Sequence, residues 1–265
     1  MDAETVSLLC NPYTHEALEW VKESETDGIA GEFLVGAHTG ERFPFRAGIP
    51  VLYDVSRLEG YNLQYQSFYS RFATIYDAAL KTLANIYGKS ENKFRKQYIQ
   101  QLEIHEGDRV LEVSVGTGTN LRLLPEFAHC YGLDLSWAML SQCQKNIGRW
   151  SRKTELFFGN AEALPFRDAM FEVVFQVGGI NAFSDRAKAI REMIRVARSG
   201  TKIVIVDETA KLMKALSWIP SARKMVEEWG DRFEAPVSLV PAEMREIQVG
   251  EIVRGYLYVL SFRKP

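Results

Sequence analysis

Residues 110–120 read VLEVSVGTGTN, and this stretch decides the fold. Its first half is a nearly continuous apolar run, which is typical of a strand buried on both faces of a sheet. Its second half contains Gly116 and Gly118, which let the backbone turn sharply and approach a ligand closely. The stretch therefore predicts a buried strand, a glycine-rich turn and a binding site beyond the carboxyl end of the strand.

The sequence that follows continues as an alternation of apolar strands and helices. Strands are predicted near 129–134, 154–158, 171–177 and 201–207, with helices near 119–126, 136–149 and 184–198. Such an alternation is typical of a parallel sheet covered on both faces. Two further strand-like runs, 244–253 and 255–262, have no helix between them and predict an antiparallel pair. We expect an α/β protein with a doubly wound, Rossmann-like, seven-stranded sheet that ends in this antiparallel pair.

The sequence that precedes the glycine-rich stretch divides into two parts. Residues 1–55 contain short strand-like pieces near 6–10, 32–35, 42–45 and 48–52, broken by glycine and proline, which predict a small β module. Residues 56–89 carry aromatic side chains at helical spacing and predict a helical cap segment. The sheet domain is then expected over residues 90–265.

Composition limits the classes of protein to consider. The chain has 265 residues, of which 46% are hydrophobic and 25% charged, as in folded globular proteins. No apolar run approaches the roughly 20 residues of a membrane span, and the first residues are acidic, so we expect a cytoplasmic protein without a membrane span. Residues 1–60 contain 11 acidic and 4 basic residues, a charge of −7, which argues against nucleic acid as the partner.

The residues at the predicted strand ends point to a nucleoside ligand. Asp134 ends the second strand 18 residues after Gly116, where a carboxylate accepts ribose hydroxyls. Leu121 stands where a dinucleotide fingerprint has its third glycine, which argues against a pyrophosphate. The acid Glu112 suits a cationic ligand tail. A positively charged nucleoside fits these features, and S-adenosylmethionine is one.

The sequence resembles the class I S-adenosylmethionine-dependent methyltransferases over residues 90–265. Within that class it is most similar to the ubiquinone and menaquinone biosynthesis group. The matching stretches are VLEV and GTGTN within 110–120, GLDLS at 132–136, NAEALPF at 160–166 and FEVV at 171–174. Ser114 departs from the family's first glycine and Asn160 from its usual aspartate. The resemblance implies a cofactor site made by Glu112, Gly116, Thr117, Gly118, Asp134, Leu135, Asn160, Ala161, Gln176 and Tyr76.

Within that site the resemblance implies a role for each end of the cofactor. Glu112 and the two glycines frame the methionine end, Asp134 holds the ribose, and Asn160 with Ala161 faces the adenine. Tyr76 corresponds to the tyrosine of a Tyr-Asp pair in the family.

The amino-terminal module resembles the small zinc ribbon that precedes some methyltransferases, through LCNP at 9–12, TGERFP at 39–44 and GIP at 48–50. Only Cys10 remains of the four thiol ligands expected of such a module. His15 and His38 are poor replacements, because a closed zinc site without thiolates is improbable. We therefore expect a metal-free module that packs on the methyltransferase domain.

The acceptor is the least determined part of the site. Methyl transfer proceeds largely by positioning, so no catalytic base is assigned. Tyr65, Tyr69 and Asn181 are expected to contact the acceptor, and Asp207 ends the fifth strand beside them. An apolar insertion at 209–240 favours a small, partly hydrophobic molecule. Two alternatives remain: a ribosomal RNA methyltransferase, and a protein that binds S-adenosylmethionine without consuming it.

Overall fold

The computed structural model describes residues 1–23, 31–58, 60–63, 91–217, 223 and 227–265. The helices of the described residues are α1 (Ala3–Leu8), α2 (Glu91–Ile99), α3 (Trp137–Arg149), α4 (Arg186–Val196) and α5 (Ala210–Ala215). Their strands are β1 (Leu18–Glu23), β2 (Gly31–Gly36), β3 (Arg42–Arg46), β4 (Ile49–Pro50), β5 (Arg109–Val113), β6 (His129–Asp134), β7 (Thr154–Phe158), β8 (Val173–Val177), β9 (Lys202–Glu208), β10 (Arg245–Ile252) and β11 (Leu257–Arg263).

The large sheet has the seven strands that the sequence predicts, in the order β10-β11-β9-β8-β5-β6-β7. Strands β9, β8, β5, β6 and β7 are parallel to one another, whereas β11 is antiparallel to both β9 and β10. The α/β fold with a terminal antiparallel pair is therefore confirmed. Because the five parallel strands share one direction, their carboxyl ends lie along one edge, where doubly wound sheets bind ligands.

The core lies on both faces of this sheet, since side chains alternate from one face to the other along each strand. On one face, Leu111, Val174 and Ile205 belong to a cluster that extends to helix α4 and the amino-terminal sheet. On the opposite face, Val110 and Phe175 belong to a cluster that includes residues of α2 and α3. The central strands are thus buried on both sides, which explains why their sequences are almost continuously apolar.

The first four strands form a separate antiparallel sheet in the order β1-β2-β3-β4, which agrees with the small β module predicted from the sequence. This sheet joins the edge of the large one at β7. Val51 bridges Phe158 in parallel, and the Leu52 N–H donates to the Phe158 carbonyl at 2.8 Å. The Cys10 N–H donates to the Pro165 carbonyl at 3.0 Å. An edge strand presents unpaired backbone groups, and here the amino-terminal residues satisfy part of that edge.

Two local predictions are wrong. The strand expected near 6–10 is the helix α1, because the Asp2 side chain accepts a hydrogen bond from the Thr5 N–H at 2.8 Å and caps the first turn. The helix expected near 119–126 is only the 3₁₀ turn Leu121–Leu123. Pro125 follows directly and disfavours helical geometry in the residue before it, so the turn does not extend.

The helical cap segment at 56–89 lies mostly outside the described residues. The part that the structure describes contains the 3₁₀ turn Val55–Arg57 and helical backbone at 60–63. Within the described ranges, no helix has the length and apolar character needed to cross a bilayer. The cytoplasmic location stays a prediction.

Candidate functional site

The loop after β5 is the centre of the candidate site. Ser114, Gly116 and Gly118 all have left-handed backbone, with φ of 60°, 55° and 77°. A serine rarely adopts this conformation, which is why glycine is the usual residue at such a position. A Cβ on Gly118 would lie 2.6 Å from Cys143 Sγ, so the loop also packs closely on helix α3. The loop needs glycine for its conformation and, at position 118, for space.

Asp134 ties this loop to the neighbouring strand. Its Oδ2 accepts from the Gly116 N–H at 2.8 Å, and its Oδ1 accepts from the Ser136 N–H at 2.8 Å. Burial raises the pKa of the Asp134 carboxyl to about 6, although these backbone donors act in the opposite direction. The Leu135 N–H lowers this pKa as well, so three backbone donors act on a carboxylate that has about four acceptor sites. The carboxyl is therefore held in a fixed orientation by its backbone donors, at the edge of the cavity.

A buried polar network lies under the other side of the loop. Asn120 Nδ2 donates to Glu112 Oε1 at 2.5 Å, while Asn120 Oδ1 accepts from Arg95 Nη1 at 2.6 Å and from the Tyr98 hydroxyl at 2.7 Å. Glu112 is fully buried, and its Oε2 has no protein partner among the described residues. Burial raises the pKa of Glu112 to about 8. A buried carboxyl with an unsatisfied oxygen costs stability, which is typical of a group kept for a ligand.

Sequence reasoning missed three members of this network: Arg95, Tyr98 and Asn120. Asn120 lies within the 110–120 stretch, but its role depends on its hydrogen bond to Glu112. Arg95 and Tyr98 come from α2, three residues apart on one helix face, and nothing in a single sequence shows which face meets the loop. Arg95 is buried although the helix is polar, and only the packing of the folded chain shows this.

One cavity runs along the carboxyl ends of the strands and connects these groups. Its described lining comprises Asn62, Phe94, Arg95, Tyr98, Ser114, Val115, Gly116, Thr117, Thr119, Asn120, Asp134, Leu135, Ser136, Met139, Val177, Gly178, Gly179, Ala182, Phe183, Val206, Asp207, Glu208 and Leu257. Four of the predicted cofactor residues are among them: Gly116, Thr117, Asp134 and Leu135. Gly118 and Glu112 lie behind the lining and shape it.

The predicted adenine residues lie in the loop after β7, outside this lining. Asn160 is buried, and its Oδ1 accepts from the Glu162 N–H at 2.9 Å, which closes a turn within the loop. Ala161 is buried in the core. The adenine role of both residues stays a prediction, and Asn160 Oδ1 already accepts a hydrogen bond within its own loop.

Two predicted residues at the end of β8 lie behind the cavity. Gln176 is fully buried, and neither polar atom of its side chain has a hydrogen-bond partner in the described part of the chain. Asn181 is also buried, but its Nδ2 donates to the Glu208 carbonyl at 2.9 Å and its Oδ1 accepts from the Tyr258 hydroxyl at 3.0 Å. Both ends of its amide therefore hold the fold together, and its contact with the acceptor stays a prediction.

The remaining predicted residues, Tyr65, Tyr69 and Tyr76, lie outside the described residues. The far end of the cavity is instead formed by Asp207, Glu208 and Phe183. Asp207 is almost fully buried, and its carboxyl accepts from three backbone N–H groups, those of residues 179, 181 and 208, at 2.8–3.0 Å. Glu208 was not singled out in the sequence, because a charged residue ending a strand is common.

This fold and this arrangement of strand-end residues are typical of doubly wound α/β domains that bind a ligand at the carboxyl ends of their strands. A family model described as a methyltransferase domain matches residues 111–205. The matched segment begins in β5 and ends in β9, and thus contains the glycine-rich loop and Asp134. This match agrees with the sequence resemblance, and both indicate S-adenosylmethionine as the cofactor.

Comparison with individual proteins gives the same class. A demethylmenaquinone methyltransferase of Thermotoga maritima is 31% identical over 142 residues, which is 52% of this chain and 59% of the relative. A phosphatidylethanolamine N-methyltransferase of Cereibacter sphaeroides is 33% identical over 107 residues, covering 40% of this chain and 53% of the relative. The chain thus spans between half and two thirds of the length of these curated relatives.

Among solved structures, a SAM-dependent methyltransferase from Thermotoga maritima matches with a TM-score of 0.57. The alignment covers 76% of this chain and 99% of that structure, at 18% sequence identity. At this identity the match shows a shared fold, which agrees with the strand order described above.

Proposed function

We propose that this chain transfers the methyl group of S-adenosylmethionine to a small, partly hydrophobic molecule. The observation that carries the proposal is the cavity that extends, among the described residues, from Asp134 at the end of β6 to Asp207 near the end of β9. A cofactor held over the glycine-rich loop at one end would leave the other end for an acceptor. The bound cofactor supplies a methyl group on a positively charged sulfur.

The residues present fit this cofactor. The fixed Asp134 carboxyl suits a ribose hydroxyl, and the positive Arg95 in the lining suits the carboxylate of the methionine end. The unsatisfied Oε2 of Glu112 and its Asn120 partner suit the ammonium group, directly or through a water. Leu135 and Met139 provide apolar surface beside Asp134 for the adenine.

The lining at the other end supports a small acceptor. Val177, Ala182, Phe183 and Leu257 provide apolar wall, while the carboxyls there are the main polar groups. The matched relatives are named for methylating demethylmenaquinone and phosphatidylethanolamine. Each of these two compounds combines a polar head with an apolar portion, and an acceptor of that general character fits this cavity.

We also propose that residues 1–55 are a metal-free module that supports the methyltransferase domain. The turns that hold zinc in a ribbon are here cross-linked by the Glu16 carboxylate, which accepts from the His38 N–H at 2.6 Å, from the Thr39 N–H at 3.0 Å and from the Thr39 hydroxyl. Asn11 Nδ2 donates to Glu41 Oε2 at 2.8 Å in the same region. Elemental analysis that finds stoichiometric zinc in the purified protein would refute the metal-free part.

A labelling experiment tests the main proposal. The purified chain is incubated with methyl-labelled S-adenosylmethionine and, separately, with a small-molecule extract and with ribosomal RNA. Label is expected in an organic-extractable product. Label recovered in RNA would instead support an RNA methyltransferase, and calorimetric binding of the cofactor without any labelled product would support a protein that does not turn it over.

A further inference from the structure

The hairpin between β3 and β4 contacts helix α3 with its tip, residues 46–49. The two turn residues, Ala47 and Gly48, have φ of 51° and 77°, and the residues that flank them pair across the turn. Left-handed backbone at both positions matches the twist of a two-residue hairpin, although alanine adopts it at a cost. The turns that Glu16 cross-links are different ones. The hairpin tip is therefore a tight turn of defined geometry.

Helix α3 presents one face to this hairpin tip. Trp137, its first residue, and Gln144 lie two helical turns apart and therefore on the same face. The Arg46 guanidinium carbon lies over the Trp137 ring, 4.6 Å from the ring centroid. Gln144 Nε2 donates a hydrogen bond to the Ala47 carbonyl at 3.0 Å. A cation–π contact and a hydrogen bond thus join the amino-terminal module to α3.

The Trp137 ring also stacks on Phe158, the last residue of β7. The two ring centroids are 4.5 Å apart, and the ring planes differ by only 6°. Phe158 is fully buried, and its carbonyl accepts from the Leu52 N–H of the amino-terminal module at 2.8 Å. The module therefore contacts both rings of the stack. It contacts Trp137 through the Arg46 side chain and Phe158 through the backbone.

This aromatic stack adjoins the turn that carries Asp134. Asp134 and Ser136 line the cavity, and Ser136 directly precedes Trp137. The Ser136 N–H donates to Asp134 Oδ1 at 2.8 Å. On the other side of the stack, Gly159 directly follows Phe158, and its N–H donates to the Asp134 carbonyl at 3.1 Å. A shift of one ring against the other would therefore move segments that are hydrogen-bonded to Asp134.

We propose that Arg46 is a positioning residue for cofactor binding, which acts through Trp137 to fix the turn from Asp134 to Ser136. This inference rests on the proposed function, because it takes Asp134 as the group that binds the ribose. Arg46 is exposed and stands outside the described cavity lining, so its effect passes through the stack. Binding groups that are already held in place lose less freedom when the ligand binds. The amino-terminal module thus contributes to cofactor affinity.

Calorimetry of the full chain with S-adenosylmethionine tests this role. Arg46→Ala should raise Kd about two- to fivefold, the range that corresponds to an exposed cation–π contact. Arg46→Lys should recover part of the affinity, since an ammonium can also lie over the ring. Arg42→Ala is the matched control, because Arg42 is exposed on the same strand and lies over Phe33, 4.1 Å from its centroid, within the module. Its Kd should equal that of the wild type. Equal Kd values for Arg46→Ala and Arg42→Ala would overturn the inference.

Two further measurements separate positioning from a general loss of stability. Amide hydrogen exchange at Ser136 should be faster in Arg46→Ala and unchanged in Arg42→Ala, although both variants should change the melting temperature alike. In a Trp137→Leu background, Arg46→Ala should cause no further rise in Kd, because the ring through which it acts is gone. Unchanged exchange at Ser136, or a full additional rise in that background, would overturn the inference. Failure of the wild type to bind S-adenosylmethionine would instead refute the proposed function.

Discussion

The two sheets of this protein use carboxyl groups in opposite ways. In the amino-terminal sheet, the Glu16 carboxylate is surrounded by donors, and hydrogen bonds led by the Thr39 hydroxyl lower its pKa to about 2. In the large sheet, burial raises the pKa of Glu112 to about 8 and that of Asp134 to about 6. The first carboxylate is satisfied and holds two turns together. Glu112 is only partly satisfied, since its Oε2 has no partner among the described residues, and both buried carboxyls carry a desolvation cost that is typical of a binding site.

Glycine substitution gives the largest expected contrast between the two regions. Gly118→Ala should destabilise the protein by about 2–5 kcal/mol, because a left-handed alanine costs roughly 1–2 kcal/mol and overpacking a further 1–3 kcal/mol. Gly40→Ala is the matched control, since Gly40 is also left-handed, with φ of 68°, but has open space around its Cβ position. It should lose only the conformational part. Chemical denaturation measures both, and equal losses would show that contact with Cys143 contributes nothing.

The buried Glu112 should make the stability of the cofactor-free protein depend on pH. A carboxyl whose pKa is higher in the folded state binds more protons when folded. The free energy of unfolding therefore falls as the pH rises from the unfolded-state pKa near 4.5 toward the folded-state pKa of about 8. Glu112→Gln should reduce this fall by an amount on the order of a few kcal/mol. Melting temperatures of both proteins at pH 6 and 8 measure it, and the Asp134 titration, with a pKa of about 6, contributes to both alike. A slope identical to that of the wild type would contradict the raised pKa.

Asp134 should dominate cofactor affinity. Asp134→Ala removes the acceptor for the ribose hydroxyls and for the Gly116 and Ser136 N–H groups. The expected loss is roughly 1.5–3 kcal/mol, the usual contribution of hydrogen bonds to a charged group, or about 10- to 150-fold in Kd. Calorimetry with S-adenosylmethionine measures the loss, and Asp168→Ala, on the far side of the domain in an ion pair with Arg195, is the control. Equal affinities for wild type and Asp134→Ala would refute the ribose role.

Glu16 should give the smallest and most local effect. Because its pKa is lowered in the folded state, its contribution is complete above pH 4.5 and is lost as the pH falls toward about 2. Glu16→Gln should therefore increase amide hydrogen exchange at His38 and Thr39 at neutral pH, with little change in the large sheet. Acidification of the wild type should reproduce the same pattern. An effect of equal size at the Asp134 loop would show that the two sheets do not behave as separate units.

Much of this architecture could be predicted from local sequence. The apolar runs of β5 and β8 and the glycines at 116 and 118 reflect short-range rules, burial on both faces and left-handed backbone, so their pattern is visible along the chain. The helix α1 could not be predicted in the same way. Its pattern of apolar residues fits a short strand as well, and the Asp2 cap decides for the helix.

What the sequence alone determined was the class of the fold, the position of the ligand-binding edge and the carboxylate Asp134, because each follows from periodicity and spacing within one or two elements. Tertiary structure alone decided which distant groups share the cavity. It brought Arg95 and Tyr98 under the glycine-rich loop, buried Asn181 in the fold and placed Glu208 beside Asp207 in the cavity lining. The physical reason is that burial and hydrogen-bond partners depend on contacts between residues far apart in the chain, and these contacts give a side chain its pKa and its role.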